Sequence, residues 1–448
     1  MFLEFKSSYT DNSNSSVKEQ TGRRFYRFRP TLTIRRWTFG ATICATRLTI
    51  YVRFLIRCLL LSDTESGILA GGDKLPYFLR SVQLPPRVPI YGDTPNPNLL
   101  DDIVVLDRQS THPSMQGELT SMFPVAYCNG NRTDVPTVPS YIMSVAHVEA
   151  AGIGGYDSLL QQIHQSPDCD RSNLSHVRNV YRETTFITGP TFINKGDAKV
   201  GESYTPRALE LAFHEPPFRP LGLTCDIDST LGLAKLARGA VTGVDQLYRL
   251  GWLHRDMKPE SHGIDGNGEG LITDLHLAAE LNGPFSEAAL LKRFGISPYV
   301  APTLLNPEMA HIQHSWWHDV TSILLIVLSV ALSRPDGIER GMATETNEVW
   351  KTWNQGSSGN LADAADSKQD TLCVPEEREI FMEPCREAWP GLSELVEILG
   401  ACCGMDVPQN VIQQGRMEEV LAERAASGEL SLRRIIQKID ELIEILIR

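Results

Sequence analysis

The chain has 448 residues, 42% hydrophobic and 22% charged, enough to bury cores in more than one domain and ordinary for a globular protein. A formal net charge of −13 argues against broad nucleic-acid binding, in which excess Lys and Arg displace counterions from phosphates. The nine cysteines are scattered without a C-x-x-C pair, and adjacent Cys402 and Cys403 suit neither zinc spacing nor a mutual disulfide. They read as reduced thiols of a cytoplasmic or nuclear protein.

The opening residues, MFLEFKSSYTDN, lack the apolar core of a signal peptide, and residues 1–20 read as a disordered N-terminus. The N-x-S/T triplets at Asn14, Asn131 and Asn173 are then chance matches. The apolar stretch 37–61 is interrupted by Arg47, Arg53 and Arg57. Each arginine would cost about 2.5–3.5 kcal/mol at a bilayer centre, so no membrane span is expected. Leu48, Ile50, Val52, Phe54, Ile56 and Cys58 alternate with Arg47, Thr49, Tyr51, Arg53, Leu55 and Arg57, which is the period of a half-buried strand or hairpin. Residues 63–100 are rich in Gly and Pro and read as a long connector, and DDIVVLDRQ at 101–109 reads as a strand. Region 124–200 mixes short apolar runs with turn residues and yields no assignment. Residues 21–204 together read as sheet-rich with long loops.

From 205 the pattern turns helical, and 205–400 reads as one helical domain. Leu231, Ala234, Leu236, Ala237, Val241, Val244, Leu247 and Tyr248 fall at helical spacing within 226–251, with Ser229 as N-cap and Gly251 as stop. DVTSILLIVLSVAL at 319–332 is apolar on nearly every side and too short to span a membrane, the pattern of a helix buried in a domain. Residues 354–372 read as a polar, small-residue loop. In the 401–448 extension, Leu432, Ile435, Ile439, Leu442, Ile443 and Leu446 share one face of an amphipathic helix. That helix is expected to pack on the domain, with docking of a partner or a second copy as the sharper alternative.

Chemistry concentrates around GWLHRDMKPESHG at 251–263. A helix precedes His254-Arg255-Asp256, and Lys258 follows two residues after the aspartate. GLITD then ends at Asp274, SPYVAP follows at 297–302, and His318-Asp319 opens the buried helix. His311, His314 and His318 form H-x-x-H-x-x-x-H, but only Asp319 offers to complete a zinc set, so they read as structural. The ordered set resembles the C-terminal lobe of the fungal-type protein kinases, firmly over about 220–332 and weakly back to about 100. The resemblance implies an α+β, bilobal protein-kinase-like fold with a sheet-rich N-lobe and a helical C-lobe, ATP and Mg²⁺ as cofactors, and a protein substrate or regulatory partner. By resemblance, Asp256 takes the substrate hydroxyl's proton, Lys258 neutralises the moving phosphoryl group, and Asp274 holds Mg²⁺. His254 and Arg255 brace the loop, and Asp319 bonds its backbone from the buried helix.

The departures fall on the nucleotide side. Ser261 stands where the family carries a metal-binding asparagine, leaving a hydroxyl as a weak ligand for a second Mg²⁺. Leu275 and His276 follow Asp274. No G-x-G-x-x-G loop precedes the first strand, and AAGIGGYD at 150–157 reads as a turn. With 101–122 taken as the family's strand and following helix, Leu106 takes the place of the phosphate-pairing lysine, Asp107 follows, and Glu118 is the helix glutamate. Arg108 is the nearest substitute base, Lys195 and Lys199 are remote ones, and Thr303 stands where a glutamate is usual. The sequence therefore predicts a Ser/Thr protein kinase of weak turnover, with a binding scaffold that has lost catalysis as the alternative.

Overall fold

The computed structural model describes residues 2–6, 40–44, 103–105, 119–127, 141–149, 153–166, 173–174, 176–187, 206–215, 219–221, 227–283, 286–291, 297–332, 349–353, 361–401, 423 and 428–448. The chain divides into two compact units, Met1–Ile153 with His176–Pro217, and Gly154–Ser175 with Phe218–Arg448. It mixes helix and sheet, as expected of an α+β chain.

The first unit is built of strands. β1 (Phe2–Lys6) pairs in parallel with β2 (Gly40–Cys44), so part of the terminus read as disordered is strand. β2 lies within the stretch read as sheet, and the rest of 37–61 lies outside the described residues. β3 (Ile103–Val105), β4 (Leu119–Tyr127), β5 (Tyr141–Glu149), β6 (His176–Ile187) and β7 (Pro206–Glu215) form an antiparallel sheet in the order β3-β4-β5-β7-β6. Inside it, Ser144 and His214 are buried partners, Oγ to Nε2 at 3.0 Å.

One expectation is corrected in this sheet. The helix expected to run to residue 122 is replaced at Leu119 by β4, which satisfies its backbone against both β3 and β5. The two units part at 217/218, with β7 held in the first by its pairing with β5 and β6. Region 124–200, which gave no assignment, supplies much of the sheet. Leu106, Arg108, Glu118, Lys195 and Lys199 lie outside the described residues.

The second unit begins with helix α1 (Ile153–Gln165), which starts inside the glycine run read as a turn and buries Tyr156, Leu159, Leu160 and Ile163. α2 (Thr230–Arg249) follows its periodicity closely. Ser229 Oγ accepts the Gly232 N–H at 3.3 Å, and Gly251, at φ 82°, turns the chain out of the helix. Strands β8 (Arg219–Pro220), β10 (His262–Ile264) and β11 (Gly270–Ile272) form a small antiparallel sheet, and β9 (Trp252–Leu253) pairs with β12 (Ala279–Glu280). A Cβ at Gly239 would stand 2.0 Å from the Gly270 carbonyl oxygen, so α2 and β11 meet backbone to backbone. That approach seats the β10–β11 hairpin against the helix. Asn173 is buried, with its amide donating to Gly270 O at 2.9 Å, so the asparagine of this triplet joins the same packing.

Behind these lie α3 (Pro302–Leu305), α4 (Trp316–Leu332), α5 (Leu361–Cys373), α6 (Leu392–Gly400) and α7 (Gly428–Ile447). α4 is buried over almost its whole length and starts three residues before the expected 319, because Trp316 and Trp317 are also buried. α5 corrects the loop expected over 354–372. Ala364, Ala365, Lys368 and Leu372 recur at helical spacing on its buried face, and the two alanines join Val300, Ala301, Leu304 and Leu305 in one cluster. The Gly/Ser run before Leu361 hid that stripe. α7 packs on α2 and α6 with Leu432, Ile435, Ile439 and Leu442 buried, and Arg238 Nε donates to Asp440 Oδ1 at 2.7 Å. No helix among the described residues is long and apolar enough to cross a membrane.

Candidate active site

β9 and β12 pin together the two ends of the excursion 254–278, with Leu253 opposite Ala279 and the Leu281 N–H on Gly251 O at 2.7 Å. Inside that closed loop, Asp319 reaches in from the first turn of α4. Its Oδ2 accepts the His254 N–H and its Oδ1 accepts the Arg255 N–H, both at 3.0 Å, and His314 Nε2 lies 2.9 Å from Oδ1. Burial works against the Asp319 carboxylate, but His314 and these donors hold it below the usual carboxylate range.

His254 is fully buried. Its Nδ1 faces the Asp256 N–H at 3.3 Å and its Nε2 lies 2.8 Å from Thr273 O, so the ring carries its hydrogen on Nε2 and ties the loop to the end of β11. Arg255 sits at φ 73° and Asp274 at φ 65°, both left-handed and neither glycine. Such backbones cost about 1–3 kcal/mol each and persist where the surroundings fix them. For Arg255 the fixing groups are Asp319 at its N–H and the carbonyls of Leu277 and Ala289 at its guanidinium.

These turns bring three charged side chains together. Lys258, 2% exposed, places Nζ between Asp256 Oδ2 and Asp274 Oδ2, bonded to the first and 2.8 Å from the second. Burial alone would lower the Lys258 pKa, but the two carboxylates more than reverse it and hold the ammonium above its ordinary range. Burial likewise opposes the Asp274 carboxylate, and Lys258 with His276 pulls it well below its ordinary range. His276 Nε2 stands 3.6 Å from Asp274 Oδ1, and its ring lies 4.5 Å from that of Tyr156 on α1.

Ser261 does not point into this cluster. Its hydroxyl accepts the Lys258 N–H at 3.0 Å and donates to Lys258 O at 2.9 Å, closing the short turn Pro259–Ser261. The adjacent His262, also buried, shares that carbonyl through Nδ1 at 2.8 Å, and burial pulls its pKa down to about 4. Glu260 joins the neighbourhood with its carboxyl pushed up by burial and Oε2 buried without a partner. Glu260 and His262 carried no role in the sequence reading, and His276 entered it only as a departure after Asp274. Their adjacency to Lys258 and Asp274 was the available signal.

Asp274, a hard oxygen donor at the end of a strand, fits one divalent ion whose remaining ligands come from phosphate and water. A second ion does not fit, because the Ser261 hydroxyl is spent within its own turn. Among the described residues no group of three or more His, Cys, Asp or Glu side chains forms a metal cage. Of the histidine trio, His311 is exposed, His314 serves Asp319, and His318 Nδ1 accepts the Ser315 N–H at 2.8 Å.

No family model matches the chain. A stretch of 76 residues is 32% identical to Rhodopsin kinase grk7a of Danio rerio, and one of 77 residues is 34% identical to Rhodopsin kinase grk7-b of Danio rerio. Each covers 17% of this chain and 13% of the relative's length. The chain therefore carries a protein-kinase-like region, and these matches do not single out the fungal type.

Proposed function

We propose that the chain is a fungal-type protein kinase of low turnover, moving a phosphoryl group from ATP to Ser/Thr hydroxyls of protein substrates. The observation that carries this reading is the Asp256–Lys258–Asp274 cluster on a loop braced by Asp319. Phosphoryl transfer needs mainly positioning and charge neutralisation. Mg-ATP, when bound, supplies the transferable group and part of that neutralisation. Asp256, with Oδ2 engaged by Lys258, takes the substrate hydroxyl's proton on Oδ1 and orients that hydroxyl. Lys258 offsets phosphate charge, and Asp274 would hold the ion. The order β3-β4-β5-β7-β6, with α1 between β5 and β6 in the chain, agrees with this reading because kinases place a helix after the lysine-bearing third strand.

Asp256→Asn should lower autophosphorylation about a hundredfold or more, since a positioned base contributes about 10²–10⁴. Equal radiolabel incorporation by wild type and variant would remove the proposal.

A second reading, a pseudokinase acting as a binding scaffold, is favoured by a specific observation. The third strand of the sheet reads YIMSVAHVE and the helix after it IGGYDSLLQQIHQ. Neither holds a lysine or arginine, and the helix carries no glutamate to pair with one. On this reading the phosphate-pairing lysine is missing from β5 and its glutamate from α1. Clear thermal stabilisation by Mg-ATP would count against a strictly non-binding scaffold, and no shift would support it.

A further inference from the structure

The Asp274 carboxylate that would hold a divalent ion is already engaged by a cation belonging to the chain. We propose that Lys258 is the resident counter-ion of this site, occupying the ground between Asp256 and Asp274 and keeping a free divalent ion out until phosphate draws its ammonium away. Three observations carry this. Nζ is bonded to Asp256 Oδ2 and lies 2.8 Å from Asp274 Oδ2, so the ammonium sits on an oxygen of the carboxylate that an incoming ion would coordinate and is anchored there by the neighbouring Asp256. All three side chains are buried, so an expelled ammonium would be left unpaired inside the protein. Lys258 is also tethered two residues from Asp256, and its own N–H and carbonyl are fixed by Ser261, so it returns at high effective concentration whenever it leaves.

Ser261 thereby acquires a role that the missing asparagine does not describe. Its hydroxyl, too short and too committed to serve a second ion, holds the backbone from which Lys258 reaches both carboxylates. Divalent-ion binding is then coupled to phosphate, because the phosphate supplies both a new partner for the ammonium and new ligands for the ion. The inference takes from the phosphotransfer reading only the identity of the site. Ion binding is measured without phosphoryl transfer, so a protein with the expected ion behaviour and no kinase activity would sink that reading and leave this one standing.

The test is titration of the full-length chain with Mn²⁺ alone, followed by water-proton relaxation, for wild type, Asp274→Asn, Lys258→Met and the Lys258→Met/Asp274→Asn double variant. Wild type should show no saturable site that depends on Asp274. Lys258→Met should bind at least tenfold more tightly than wild type, and the double variant should lose that gain. Saturable binding by wild type that Asp274→Asn abolishes would overturn the proposal, as would a folded Lys258→Met with no gain. Should Lys258→Met fail to fold, the comparison of wild type with Asp274→Asn decides by the same criterion.

Discussion

Lys258 and Lys368 are both buried, at 2% and 0% exposure, yet their surroundings move the two amines in opposite directions. Lys258 lies between two carboxylates and is held above its ordinary range. Lys368, on α5, donates to Val300 O at 2.8 Å beside the Trp353 ring, and burial drives its pKa well below the ordinary value. The same side chain is a fixed positive charge in one place and a weakly basic amine in the other. Burial therefore does not decide what a lysine is for; the compensating charge does.

The largest expected effect comes from removing the charge that is compensated. Lys258→Met leaves Asp256 and Asp274 buried without their cation, and should lose about 3–5 kcal/mol in urea unfolding at neutral pH. A loss under 1 kcal/mol would mean that the cluster is not the electrostatic unit its geometry suggests. The Lys258 contribution is complete below the unfolded lysine pKa of about 10.4 and fades only as pH rises through the higher folded value. The Asp274 contribution is present above about 3.9 and is lost as pH falls through its depressed folded value. Neither changes near neutrality.

Lys368 should behave the other way. The unfolded chain keeps the Lys368 proton up to about pH 10.4, and the folded chain gives it up earlier, so folding releases protons. Stability should then rise with pH by up to about 1.4 kcal/mol per unit, from the lowered folded pKa to about 10.4. Lys368→Met should abolish that part of the slope in urea midpoints measured across the alkaline range. An unchanged slope would assign the proton release elsewhere.

The smallest effect tests the apolar character of the Lys368 neighbourhood. Thr303 is buried on α3, within the Val300–Leu305 stretch that packs against α5, and its Oγ1 has no hydrogen-bond partner. Thr303→Val should stabilise the protein by up to about 1 kcal/mol by removing an unsatisfied polar atom of similar shape. Destabilisation in thermal melts would indicate that the hydroxyl is satisfied in solution.

Much of the second unit was legible because its signals are local. The stripe of α2, its Ser229 cap and its Gly251 stop predicted that helix, and continuous apolarity predicted α4. The spacing of His254, Arg255, Asp256 and Lys258, with Asp274 and Asp319 further on, marked the site. The first unit was poorly legible because strand pairing is non-local. Nothing within 101–122 reveals that Leu119 opens a strand against β5, because its partner strand begins only at Tyr141. α5 was hidden because most of its buried residues, Ala364, Ala365, Lys368 and Thr371, are small or polar.

The sequence by itself determined the elements whose residues interact with near neighbours, through helical period, caps and the fixed offsets within one loop. It also determined that 141–165 contains no lysine or arginine, a fact that gained meaning only with the sheet order. The tertiary structure decided the charge partners. Lys258 meets Asp274, Asp319 meets His314 and two backbone N–H groups, and Lys368 meets a carbonyl in an apolar cluster. The physical reason is that a buried charge is set by the groups within a few ångströms of it. Several of those groups lie far away in the chain, and folding alone brings them near.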